Sequence, residues 1–105
     1  MTINQVVLIG KLSNDPQHKT TSSGINVSKF NIALERNHTN PQGIREVDYP
    51  QIITWRNLSD LTREYLYKGR EVCVTGELRT RTYLNEHDET VFVTEVLADK
   101  LKIFK

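Results

Sequence analysis

The residues able to do chemistry in this 105-residue chain are flat rings and cations. Val47 to Arg56 reads Val-Asp-Tyr-Pro-Gln-Ile-Ile-Thr-Trp-Arg and alternates as a strand. Counting by twos puts Val47, Tyr49, Gln51, Ile53 and Trp55 on one face. The only Trp and a Tyr therefore share a side, with Arg56 at the strand end. A later run places Arg79, Arg81 and Tyr83 together on one face of another strand. Lys11 ends a strand, Lys29 sits on the outer face of a second, and Arg36 and His38 begin a long hairpin. Rings interleaved with cations suit an unpaired strand of DNA or RNA, because each stacked base contributes about 1–3 kcal/mol and the cations neutralise phosphates. The same residues fit a plainer pattern. Most strand aromatics cover sheets, and Arg79 and Arg81 could pair with Glu77 or Glu95 on a solvated face.

No catalytic constellation competes with this pattern. His18, His38 and His87 fall in loops, none with a second ligand at metal spacing, so no metal site and no cofactor is expected. Gly10 and Lys11 lack the rest of a phosphate loop, and the serines are scattered through turns with no hint of a triad. Glu46 and Asp48 share a face, where acids are normally solvated. The expectation is a binding protein and not an enzyme.

The 14 basic and 13 acidic residues give a net charge of +1. That excludes a protein that coats duplex DNA by charge alone. Up to Asn57 there are six Lys or Arg against four Asp or Glu, and from Leu58 eight against nine, so an anionic partner must be drawn by a local patch. Cys73, alone between Val72 and Val74, forbids an intrachain disulfide and reads as a strand packing residue. The first residues lack the basic flank and apolar stretch of a signal peptide. No apolar run approaches the roughly 20 residues that span a bilayer. A cytoplasmic protein with no membrane partner follows.

The elements that must position these groups are legible from period and punctuation. Ile3 to Leu12 reads as a first strand, with Val6, Leu8 and Leu12 on one face, Ile3, Val7, Ile9 and Lys11 on the other, and a bend at Gly10. Asn14, Asp15 and Pro16 stop it, and the loop to Gly24 carries a short extended piece near His18 to Thr20. Ile25 to Glu35 is a second strand with Phe30, Ile32 and Leu34 inward and Val27, Lys29, Asn31, Ala33 and Glu35 outward. Asn37 to Gly43 forms a hairpin tip before the Val47 to Arg56 strand, where Pro50 predicts an edge position or a bulge.

Leu58 to Tyr67 changes period: Leu58, Leu61, Tyr65 and Leu66 make one apolar helical stripe, with Asn57 as N-cap, Asp60 near the helix N-terminus and Gly69 ending the element. Arg70 to Leu84 is a fourth strand, Val72, Val74 and Leu78 facing one way and Cys73, Arg79, Arg81 and Tyr83 the other. Asn85 to Glu89 is a polar tip. Thr90 to Phe104 is the fifth strand, whose alternation slips between Val93 and Leu97 and predicts a bulge there. Three strands, one short helix and two strands, with glycines at positions 10 and 76, describe an all-β domain over residues 1–105: a five-stranded barrel of the OB type.

Several stretches, in this order, carry a resemblance. They are Asn4 to Leu12 (Asn-Gln-Val-Val-Leu-Ile-Gly-Lys-Leu), Asp15-Pro16, Phe30 to Leu34 (Phe-Asn-Ile-Ala-Leu) and Asn40 to Gly43 (Asn-Pro-Gln-Gly). Trp55-Arg56, Glu64 to Leu66 with Lys68-Gly69, Gly76 to Arg81 (Gly-Glu-Leu-Arg-Thr-Arg) and Val93 to Val96 (Val-Thr-Glu-Val) follow. Over nearly its whole length the chain resembles the bacterial single-stranded DNA-binding protein (SSB) family. The resemblance implies an OB-fold homotetramer that wraps and protects single-stranded DNA, with little sequence preference, during replication, recombination, repair or DNA uptake in the nucleoid-containing cytoplasm. It implies stacking by Tyr49, Trp55 and Tyr83, and by His38 where the family carries an aromatic ring. It also implies phosphate contacts by Lys11, Arg36, Arg56, Arg79 and Arg81, to which Lys29 is added from its place on the outer face of the second strand. Two other uses of the same fold stand beside this one: an interaction protein of primosomal type and an RNA-binding OB domain. The chain ends at Leu101 to Lys105 with no flexible linker and no acidic, Phe-ended tail, so enzyme recruitment through such a tail is not expected. It resembles the family's short paralogues and mobile-element forms, or a truncated chain.

Overall fold

The computed structural model describes residues 1–104. Its elements are β1 (Val6–Leu12), β2 (Gln17–Thr20), β3 (Asn26–Thr39), β4 (Arg45–Asp48), β5 (Gln51–Trp55), α1 (Asn57–Tyr65), β6 (Glu71–Leu84) and β7 (Thr90–Ile103). The sheet runs β1-β6-β7-β5-β3 and closes through β1 pairing β3, which makes a five-stranded barrel with β4 continuing β5 along β3 and β2 added outside β3. The pairs are antiparallel except β5 with β7, where Ile52 faces Val96 and Ile53 faces Leu97. This is the expected OB barrel.

Alternation drives the core. Leu12, Phe30, Ile32, Ile52, Val72, Val74 and Val96 are buried, contributed by all five barrel strands, and Leu66 closes one end beneath the helix. Fully burying side chains of this size contributes about 1.5–3 kcal/mol each. Two glycines let strands approach. A Cβ on Gly10 would lie 2.6 Å from Ala33 O, and one on Gly76 would lie 2.1 Å from Leu97 O. The expected bend at Gly10 is thus a close crossing of β1 over β3.

Pro50 splits the third strand without a bulge, at the edge position expected, where the strand pairs with β3 alone and pairing to β7 begins only at Ile52. Asn31 faces Gln51 and Leu34 faces Asp48 in one register. Ile32 N–H still donates to Pro50 O, and only the return bond is missing, because proline has no N–H. Tyr49 therefore keeps the parity of Ile53 and Trp55. The bulge of the last strand lies at Asp99, where Thr75 faces Lys100 but Gly76 faces Ala98. The apparent slip from Val93 to Leu97 arises because both faces are covered there. The first strand starts at Val6, not Ile3. Asn4 instead clamps β6, its amide donating to Leu78 O and accepting from Leu78 N–H, each at 2.9 Å.

The helix buries only part of the expected apolar stripe, Leu66 in the core and Leu58 packed against it. Leu61 and Tyr65 are exposed, whereas Ser59 and Thr62 are fully buried. Ser59 Oγ lies 2.7 Å from Ser28 Oγ, Thr62 Oγ1 lies 3.1 Å from Thr54 Oγ1, and Thr62 Oγ1 donates to Leu58 O. The barrel wall under the helix offers hydroxyls, so small hydroxyl residues face it, and each buried hydroxyl finds a partner. Asn57 is the first helical residue, not the cap. Arg56 holds the cap position without a side-chain cap bond. Leu78 is exposed too, because β6 and β7 leave the barrel beyond Glu77 as a two-stranded arm.

Candidate nucleic-acid interface

The outward residues of five neighbouring strands make one continuous face. Lys19 on β2 faces Val27 on β3, which faces Trp55 on β5. Lys29 faces Ile53, Ile53 faces Leu97 on β7, and Leu97 faces Glu77 on β6. Farther along the arm, Arg79 faces Glu95, Arg81 faces Val93 and Tyr83 faces Val91. The face is concave over a groove of about 390 Å³. Val27, Ile53 and Leu97 form an apolar floor, Trp55 stands at one side, and Lys19, Lys29, Arg79 and Arg81 form the rim. Trp55 is 41% exposed, so its ring is open to the groove and is not a core residue.

Four of the expected contact residues, Lys29, Trp55, Arg79 and Arg81, meet in this groove. Tyr49 and Tyr83 are exposed on the same strand faces at its two ends, outside the lining. The other four lie elsewhere. Arg36 has the parity of the barrel interior, beyond Leu34, and is gripped by Asp48 (2.9 Å) and Glu46 (2.8 Å). His38 lies farther along β3, in the part paired with β4. Arg56 turns the chain into the helix, and Lys11 lines a separate cleft at the start of β6. Lys19 was not anticipated. Its strand is four exposed polar residues with no apolar alternation, and only its pairing with β3 brings it to the rim.

The plainer expectation for the two arginines also has its geometry. Arg79 Nε and Nη2 both donate to Glu77 Oε1, at 3.1 and 2.6 Å. Arg81 Nε donates to Glu95 Oε1 at 2.9 Å, and its guanidinium lies 5.8 Å from the centroid of the Tyr83 ring. Glu95 is only 6% exposed and its Oε2 has no hydrogen-bond partner, so the carboxylate anchors Arg81 from below the groove surface. Its bond occupies Nε and leaves both Nη groups of Arg81 for a ligand. Val27, on the outward face of its strand, is covered within the chain and forms part of the floor.

An apolar floor, an open indole and a cationic rim on a closed barrel accommodate a flexible anionic polymer with flat faces. The Single-strand binding protein family profile matches residues 3–104. The chain belongs to that family. It is 41% identical over 103 residues to Single-stranded DNA-binding protein 1 of Staphylococcus aureus strain Mu50, covering 98% of this chain and 66% of that relative. It is 39% identical over 103 residues to Single-stranded DNA-binding protein 2 of the same strain, covering 98% of this chain and 73% of the relative. A solved structure described as the Plasmodium falciparum SSB complex with ssDNA superposes with a TM-score of 0.89 at 26% identity, covering 100% of this chain and 97% of that one. Among the described residues of this family member, no helix is long and apolar enough to cross a membrane. No group of three His, Cys, Asp or Glu there could hold a metal ion.

Proposed function

We propose that this chain binds single-stranded DNA with little regard to sequence and shields it during replication, recombination, repair or uptake, in the cytoplasm where the nucleoid lies. The observation that carries this is the exposed Trp55 ring on an apolar floor between Lys19, Lys29, Arg79 and Arg81. Bases stack on Trp55, with Tyr49 and Tyr83 extending the track, and the rim cations take the phosphates. Stacking is indifferent to base identity because every base has a π-face. Four copies assemble, covering the apolar side chains of Ile3, Val7 and Ile9 that one barrel leaves exposed.

Titration with oligo-dT, following Trp55 fluorescence, tests the groove. Quenching should be strong with oligo-dT and weak with duplex DNA or RNA, and log K should fall with log salt by about 0.7 per phosphate neutralised. Trp55→Ala should cost about 1–3 kcal/mol for the base it stacks, whichever base that is. Unchanged affinity in that variant would remove Trp55 from the contact surface.

A further inference from the structure

Four cations line the groove beside Trp55, and one carboxylate lines it with them. Glu95 shares the outward face of β7 with Leu97, two residues away, and so stands beside the apolar floor of Val27, Ile53 and Leu97. Its side chain is 6% exposed, whereas that of Arg81, its ion-pair partner, is 44% exposed. Oε1 accepts from Arg81 Nε at 2.9 Å, and Oε2 is buried with no hydrogen-bond partner. A carboxylate this buried, with one oxygen unpaired, calls for a reason.

The Arg81–Glu95 pair is a fixed dipole. Its positive end is the guanidinium at the rim, and its negative end is the carboxylate at the floor. Arg79, the ladder neighbour of Glu95, is likewise held by Glu77, whose Oε1 accepts from both Nε and Nη2. Among the described residues, Lys19 and Lys29 are the groove cations with no carboxylate within ion-pair distance. A phosphate at the rim therefore meets cations, whereas an anion pressed onto the floor meets the Glu95 carboxylate across apolar surface. With a ligand seated, little water remains to screen that repulsion. A neutral base on the same floor meets no such penalty.

We propose that Glu95 is a specificity-determining residue, which keeps anions off the floor and reserves that surface for neutral flat groups. The groove then takes a nucleic-acid strand in preference to a polyanion without bases. The inference deepens the proposed DNA binding in the Trp55 groove and rests on it. The orientation of the strand, bases inward and phosphates at the rim, is enforced twice. The indole ring attracts the bases, and the buried acid repels the phosphates.

The test measures displacement of fluorescein-labelled oligo-dT of about 15 nucleotides, within the roughly 4–16 that one OB barrel holds, by inorganic polyphosphate of similar charge. In the parent, polyphosphate should compete about tenfold less well than unlabelled oligo-dT. Glu95→Gln keeps an oxygen for Arg81 Nε and removes the charge. Polyphosphate should then compete about tenfold better, while the affinity for oligo-dT changes by less than about threefold. Glu77→Gln, which removes the carboxylate holding Arg79 at the rim, should strengthen both ligands by the same factor. Equal strengthening of both in Glu95→Gln, or no change in either, overturns the proposal. So does weaker oligo-dT binding without a gain for polyphosphate, which would leave Glu95 only the holding of Arg81. A parent that binds polyphosphate as tightly as oligo-dT overturns it with no variant at all, which covers a Glu95→Gln chain that fails to fold. A parent whose Trp55 is not quenched by oligo-dT removes the DNA reading and this inference with it, a failure distinct from equal strengthening.

Discussion

Arg56 shows how closely local strain and the candidate groove are coupled. It follows Trp55 directly, and its φ of 57° and ψ of −122° are those of the first central residue of a type II′ turn, a position that favours glycine. A side chain held there costs about 1–3 kcal/mol. Arg56→Gly should therefore raise the melting temperature by about 4–8 °C, as read by thermal unfolding. If the cation also meets a phosphate, the salt slope of DNA binding should fall by about 0.7 in the same variant.

His18 offers a second prediction at this scale. Its Nδ1 lies 2.8 Å from Ser28 Oγ, and partial desolvation of the ring where it meets β3, reinforced by the nearby Arg63 charge, holds its pKa below 6.5. The unfolded chain thus takes up this proton at a higher pH than the folded one. The His18 contribution to stability is complete above about pH 6.5 and declines as pH falls from there through the lower, folded pKa. An NMR titration should place the His18 midpoint below 6.5 and should move it upward in Arg63→Gln.

At the scale of elements, Gly76 is the position least able to change. Its missing Cβ leaves room for the Leu97 carbonyl beside the Asp99 bulge, and every obstructing atom is backbone of β7. Gly76→Ala should cost about 1–3 kcal/mol in denaturant unfolding, as overpacking usually does. The strands were legible because inward and outward residues alternate cleanly at Phe30, Ile32, Val72 and Val74. The helix was legible in extent and only partly in orientation. Of the stripe Leu58, Leu61, Tyr65 and Leu66, Leu58 and Leu66 pack on the core, but the rest of the surface beneath offers Ser28 and Thr54. Matching hydroxyls to hydroxyls is a tertiary fact that no periodicity carries. The arm residues Leu78 and Phe92 likewise alternate like core residues and are exposed, because alternation does not say where a strand leaves the barrel.

For the whole molecule, the part of the site readable in the sequence was the inventory of rings and cations. Strand register, which the sequence leaves open, determines which of them share a groove. It brings Lys19 in, and it ties Arg36 to Asp48 and Glu46. The exposed side chain of Ile9, at 56%, gives the proposed assembly its test. Ile9→Glu should leave the unfolding transition of the barrel intact and lower the mass seen by light scattering about fourfold, from tetramer to monomer. A parent chain that scatters as a monomer would rule out that assembly.

The barrel also dictates an order of events at birth. Its closing contacts join β5 to Val96 and Leu97 and set β1 between β3 and β6, so the barrel closes only once β7 has been made. A nascent chain that lacks its last strand has an unpaired edge on both β5 and β6, which is a template for association with other chains. Folding of the barrel should therefore await β7 and be slow for its length, in the millisecond-to-second range typical of barrels dominated by distant pairings.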